Sequence, residues 1–161
     1  MSHTLNLKST MTDSEAVVRA LVRRGIDRNA IEVHDKAVTT QMFSSQTAKA
    51  NIVVRKEYIE ANKRKIGMDM SKYTAAFADV GFLQQADGTY AAVVDGSNFD
   101  KPWLDEVSQY YNAEKTKMEL DKRKVKYVES RTSTGDIQIK AQFAQQQATN
   151  RRLTGRTVSF G

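Results

Sequence analysis

The spacing of apolar residues constrains this chain more than any other feature. Short β-type runs are joined by brief turns, and amphipathic helical stretches interrupt them without a regular strand–helix–strand alternation. His3 to Lys8 alternates, with Leu5 and Leu7 on one face, which reads as a short half-buried strand. Thr12-Asp13-Ser14-Glu15 reads as a capping box, with Thr12 accepting from the Glu15 amide. Val17, Val18, Leu21 and Val22 follow at helical spacing. Arg23 and Arg24 sit in the last turn, and Gly25 stops the helix.

Ile31 and Val33 mark a second strand, and Ala50 to Arg55 a third; between them Ala37 to Gln46 is polar and fits no one state. Lys56 to Ile66 is helical in pattern, with Gly67 as its stop. Tyr73 to Leu83 reads as a strand, Ala86-Asp87-Gly88 as a turn, and Thr89 to Val94 as the returning strand of a hairpin. Asp100 is placed to cap the next helix, whose first turn tolerates Pro102. Its buried stripe is Trp103, Leu104, Val107, Tyr110, Tyr111 and Met118. Val125, Tyr127 and Val128 begin another extended segment. Ser133 to Asp136 turns the chain, and Ile137 and Ile139 alternate in a last strand. The expected fold is α+β: a mostly antiparallel sheet, two amphipathic helices covering one face, and an extended C-terminal tail.

The chain is one domain's length at 161 residues, and its single proline, Pro102, argues against a linker between two domains. Without cysteine there is no disulfide framework, thiolate metal site or cysteine nucleophile. No apolar run approaches the ~20 residues that cross a bilayer, and Met1 to Ser9 lacks the pattern of a signal peptide. The expected location is the cytoplasm, or the host cytoplasm or virion for a phage-encoded protein.

Charge is unevenly placed. Residues 101–161 carry 12 basic and 7 acidic residues, against a net charge of +6 for the whole chain. After Lys140 the composition shifts to Gln, Thr and Arg, so the boundary falls between a body, residues 1–140, and a tail, residues 141–161. The tail holds Arg151, Arg152 and Arg156 and no acid. So little apolar side chain cannot offset the entropy of ordering a free tail. Thr157 to Phe160 alternates enough to add as a strand to an exposed sheet edge.

Several short motifs resemble the Ycf35-like family, also known as the DUF1257 proteins, of cyanobacteria, plastids and some phages. They are Met1-Ser2-His3, Ala50-Asn51-Ile52-Val53-Val54-Arg55, Asp79-Val80-Gly81-Phe82 and Asp87-Gly88-Thr89-Tyr90. Leu104, Val107, Gln109, Tyr110 and Tyr111 resemble its second helix, and Gly135-Asp136-Ile137 its closing hairpin. The resemblance spans most of residues 1–140. Lys56 to Thr74 stands as an insertion, and the tail has no counterpart. The resemblance implies an α+β body and brings no catalytic residue with it.

Reactive constellations are scarce. His3 and His34 are the only histidines and lie in separate segments. Asp79, Asp87, Asp95 and Asp100 would serve a hard cation if gathered at one sheet end, but they read first as turn and cap residues. Neither glycine-rich phosphate loop nor nucleophile elbow occurs, so no cofactor, metal or small-molecule substrate is indicated. Two functional readings follow. The first is a non-catalytic interaction or assembly protein that docks a protein partner or another copy through a sheet edge and the tail residues Arg151, Arg152, Arg156 and Phe160, as a phage-particle component would. The alternative is nucleic-acid binding through Lys63, Arg64, Lys65, Arg123 and Lys124, with Glu119 expected to pair with Arg123.

Overall fold

The alternating runs form two antiparallel sheets in the computed structural model, which describes residues 4–7, 9–42, 45–68, 78–95, 101–143 and 155–160, with backbone alone for 4–7 and 155–160. The larger sheet contains β1 (Thr4–Leu7), β2 (Ile31–Gln41), β3 (Thr47–Val54), β4 (Val80–Gln84) and β5 (Tyr90–Asp95), in the order β1-β5-β4-β3-β2. The smaller contains β6 (Lys126–Arg131), β7 (Ile137–Gln142) and β8 (Gly155–Phe160), in that order. Three helices accompany them: α1 (Ser14–Arg23), α2 (Lys56–Lys65) and α3 (Lys101–Lys122). The α+β class is as the sequence indicates. The sheet is divided in two, and α2 forms where Lys56 to Ile66 reads as helical, so that three helices rather than two accompany the strands among the described residues.

Residue alternation assigns the faces of the large sheet. Ile52 and Val54 of β3, Phe82 of β4 and Tyr90 and Ala92 of β5 join one apolar cluster with Val17, Val18 and Leu21 of α1 and Trp103, Val107 and Tyr111 of α3. Ile137 and Ile139 of β7 belong to the same cluster, so the helices share a core with both sheets. Met42, Ala78 and Val93 form a separate small cluster. Burying side chains such as Leu21, Phe82 and Ile139 contributes roughly 1.5–3 kcal/mol each.

Helix α1 starts one residue later than its capping box implies. Asp13 is the cap, accepting from the Glu15 and Ala16 amides at 3.0 and 3.2 Å. The Thr12 and Asp13 amides instead donate to the Tyr111 hydroxyl at 2.9 and 3.1 Å, so a residue of α3 completes the cap. Gly25 stops α1 as expected, at φ +109°.

Strand β2 runs through part of the ambiguous polar stretch, to Gln41, because β3 pairs with it as far as Gln41↔Thr47. A bulge breaks their register between Val33 and Val38. Asn51 bridges this gap with its side chain. Its amide donates to the carbonyls of His34 and Asp35, both at 3.2 Å, and its oxygen accepts from the Gln84 amide at 2.9 Å. Arg55 secures the same region. It grips Glu32 with two N–H groups at 2.7 and 2.9 Å and reaches Asp79 at 3.1 Å and the Thr39 carbonyl at 3.0 Å. Of the expected strand from Tyr73, the described part is β4; residues 69–77 and Asp100 lie outside the described residues.

One buried amide ties the three helices. Trp103 Nε1 of α3 donates to Asn62 Oδ1 of α2 at 2.9 Å, and Asn62 Nδ2 donates to the carbonyl of Arg24, the C-cap of α1, at 3.1 Å. Asn62→Ala leaves the indole N–H and the Arg24 carbonyl without this partner, at about 1–3 kcal/mol for each group left unsatisfied. Urea unfolding should show a loss of at least about 2 kcal/mol, and the cost should shrink in a Trp103→Phe background, where one of the two orphaned groups is already gone. Equal losses in both backgrounds would show that the indole bond carries no weight.

Candidate functional site

The small sheet is positioned by a charged latch. Arg23 of α1 donates to both carboxylate oxygens of Glu129 on β6 at 2.7 Å and to Glu114 of α3 at 3.1 Å. Lys117 of α3 meets the same two carboxylates at 2.9 and 3.3 Å. The Arg23 guanidinium also lies 4.8 Å from the Tyr110 ring centroid, within cation–π range. The hydrogen bonds from Arg23 hold the Glu129 carboxyl below its ordinary range, against a smaller opposing effect of burial. A group whose folded pKa is depressed stabilises the fold above its unfolded pKa, and that contribution is lost as pH falls through the folded value. Arg23→Gln should therefore move the acid-unfolding midpoint, followed by circular dichroism, to higher pH. An unmoved midpoint would show that the latch is electrostatically idle.

Beyond the latch, strand alternation gives the small sheet two unlike faces. Ile137, Ile139 and Ala141 of β7 are buried, whereas Lys126 and Val128 of β6 and Lys140 and Gln142 of β7 are exposed. Register sets Lys126 opposite Gln142 and Val128 opposite Lys140, so these four share the outer face. The turn from α3 into β6 adds Lys122, Arg123 and Lys124, all exposed.

Ion pairing is uneven, and the exposed Arg28, Lys36, Lys56 and Lys65, spread over three elements, stand outside the ion pairs of the described residues. Arg23, Arg24, Arg55, Arg64, Lys101, Lys115 and Lys117 all lie in ion pairs. Arg123, Lys124, Lys126 and Lys140 make none among the described residues. The expected Glu119–Arg123 pair does not form, because Glu119 takes Lys115 at 3.0 Å and Lys122 at 3.9 Å. The outer corner of the small sheet thus gathers four cations that lie outside the ion pairs of the described residues, with Glu119 acting on Arg123 only at longer range.

Lys124 is also held in an unusual backbone conformation. Its φ is +56°, where it closes α3 in the position usually given to glycine. The Val125 amide donates to the Leu120 carbonyl at 2.9 Å and the Lys124 amide to that of Asp121 at 3.0 Å, the paired bonds of a Schellman turn. A left-handed lysine costs about 1–2 kcal/mol relative to its relaxed state, and glycine largely avoids that. Lys124→Gly is expected to raise stability by about 1 kcal/mol in urea unfolding; a loss of stability would contradict this account of the turn.

The residues expected to bind partners are distributed unequally. Lys63 is buried, at 3% exposure, because its position on α2 faces the core with Ile59 and Asn62; it cannot join an exposed basic cluster with Arg64 and Lys65. Arg64 pairs with Glu60 at 2.9 Å. Arg123 and Lys124 are exposed and share one corner. Arg151 and Arg152 lie outside the described residues. Arg156 and Phe160 fall in β8, opposite Ala141 and Ile137. The C-terminal segment therefore does not stand away from its own body: β8 adds to the β7 edge of the same chain. The expected addition of Thr157 to Phe160 to a sheet edge is found, at an edge of the same chain, and β7 itself runs to Gln142.

The other reactive groups are engaged in structure. Asp79 is buried and accepts from the Lys56 and Gln41 amides at 2.9 and 2.8 Å as well as from Arg55. His34 meets Glu32 at 2.9 Å. Asp79 and Asp95 do line one cavity, with Lys63 and Trp103, but its volume is about 20 Å³, room for a single water molecule. Asp87 sits in the β4–β5 turn at the opposite end of the strands. Among the described residues no three His, Asp or Glu side chains are grouped to hold a metal ion. No helix among the described residues is long and apolar enough to cross a membrane.

No family model matches the chain. No curated protein and no solved structure is significantly similar to it.

Proposed function

We propose that this is a non-catalytic interaction or assembly protein that joins another copy of itself through the small sheet, with β8 as the exchangeable element. The carrying observation is the way β8 is attached. It pairs with β7 over six residues, from Ile137↔Phe160 to Gln142↔Gly155, yet residues 143–154 separate the two strands. Antiparallel neighbours need a connection of only about two to five residues. A twelve-residue connection gives the strand a choice of β7 edges. The same backbone bonds form whether the edge belongs to its own chain or to a second one, which is the condition for strand exchange. The apolar row on β7, Ile137 and Ile139, supplies the same burial in either arrangement.

The titratable groups that a catalytic reading would need, Asp79, Glu32 and His34, act in bulge and helix-cap bonding, which supports the non-catalytic part of the reading. We also propose kinship with the Ycf35-like family, on motifs that here form β3 and the β4–β5 hairpin. In a phage such a protein suits a role as a particle component.

A tethered strand competes with a partner's strand at an effective concentration that falls as the connecting segment lengthens. The full chain should therefore show a monomer–dimer equilibrium that shifts to dimer with concentration, measured by size-exclusion chromatography with light scattering. Val158→Pro puts a residue of fixed φ and no backbone N–H in the middle of β8 and should abolish the dimer while leaving the far-ultraviolet spectrum of the helices intact. A chain that is monomeric at every concentration, or a Val158→Pro chain that dimerises like the parent, would sink the reading.

A further inference from the structure

We infer that the outer corner formed by the α3–β6 turn and the exposed face of β6 and β7 is a nucleic-acid backbone site. This rests on observations independent of strand exchange. Four cations, Arg123, Lys124, Lys126 and Lys140, are exposed there without ion-pair partners among the described residues, while the arginines of the helical layer are neutralised. Lys126 and Lys140 are diagonal neighbours on one face of the sheet, because Lys126 lies opposite Gln142 and Lys140 opposite Val128. Gln142 is exposed beside them and adds a neutral donor.

This donor set matches what phosphate oxygens accept from: Lys and Arg side chains supplemented by neutral polar ones. A protein-binding face would look different. Protein interfaces are depleted in lysine and centred on aromatic or apolar anchors. Here three of the four cations are lysines, and Val128 is the one large apolar side chain among the register-paired residues of the outer face. None of those register-paired residues is aromatic, so the contacts of this face are to the backbone and its sequence preference is weak; the exposed Phe143, next after Gln142, lies outside that set. Lys124 supports the assignment further. It occupies a left-handed helix terminus where glycine would be better tolerated, so the fold keeps a cation at a conformational cost.

The test uses the full chain and fluorescein-labelled oligo(dT) and oligo(U), read by anisotropy at several salt concentrations. Four phosphate contacts to a single strand predict a loss of affinity of about 50-fold between 50 and 200 mM salt. The combined variant Arg123→Gln, Lys124→Gln, Lys126→Gln and Lys140→Gln should lose at least about tenfold in affinity and most of that salt dependence. A control variant removes the same charge elsewhere, at the exposed Arg28, Lys36, Lys56 and Lys65, each changed to Gln; it should bind like the parent. Circular dichroism of both variants verifies folding. Three outcomes overturn the inference: no binding at low salt, equal losses in the two variants, or polyglutamate of matched charge bound as tightly as the oligonucleotides. The last would assign the corner to an acidic protein instead.

Discussion

The three-helix layer depends on the side-chain amide of Asn62. It is a short polar group placed where an apolar one would pack, and it works because both of its ends are used. The indole of Trp103 supplies a donor, and the carbonyl ending α1 supplies an acceptor that a helix C-terminus always leaves open. Gly25 makes room for it: a Cβ there would lie 2.8 Å from the Asn62 amide nitrogen. The same junction therefore sets the turn after α1, the depth at which α2 sits and the start of α3. The latch of Arg23, Glu114, Lys117 and Glu129 then hangs the small sheet on that layer.

Most of the secondary structure was legible in the sequence because its signals are local. Apolar spacing in α1 and α3, alternation around Ile52 and Ile139, and glycine at positions 25, 88 and 135 each describe a few neighbouring residues. What escaped was non-local. Thr12 and Asp13 both fit the cap of α1; Asp13 takes it, and the backbone before it is bonded by Tyr111, far along the chain. Strand β2 is polar beyond Val38, and only its pairing with β3 makes it a strand. The division into two sheets follows from which edges are free after folding, which no window of sequence contains.

The candidate surface was half visible. Arg123 and Lys124 were singled out by charge, and they do lie in the exposed corner. Lys126 stands two residues on in the same basic run, whereas Lys140 joins it only through strand register, which needs both strands in place. Lys63 shows the converse error. A run of three basic residues on a helix points in three directions, and one of them is inward. In the tail, alternation from Thr157 to Phe160 was the legible signal, and it falls in β8. The tail's composition speaks of a free chain, whereas a strand needs only backbone and a neighbouring edge to be ordered.

The bulge in β2 has a consequence for how copies of this protein can meet. At eleven residues β2 is the longest strand among the described residues, and it lies at the rim of its sheet. A straight rim of that length is a template on which chains can stack without limit. The displaced stretch between Val33 and Val38, held by Asn51 and Arg55, divides that rim into two short pieces out of step with each other. The broken rim is thereby a poorer template for pairing with another strand than an unbroken edge of the same length would be.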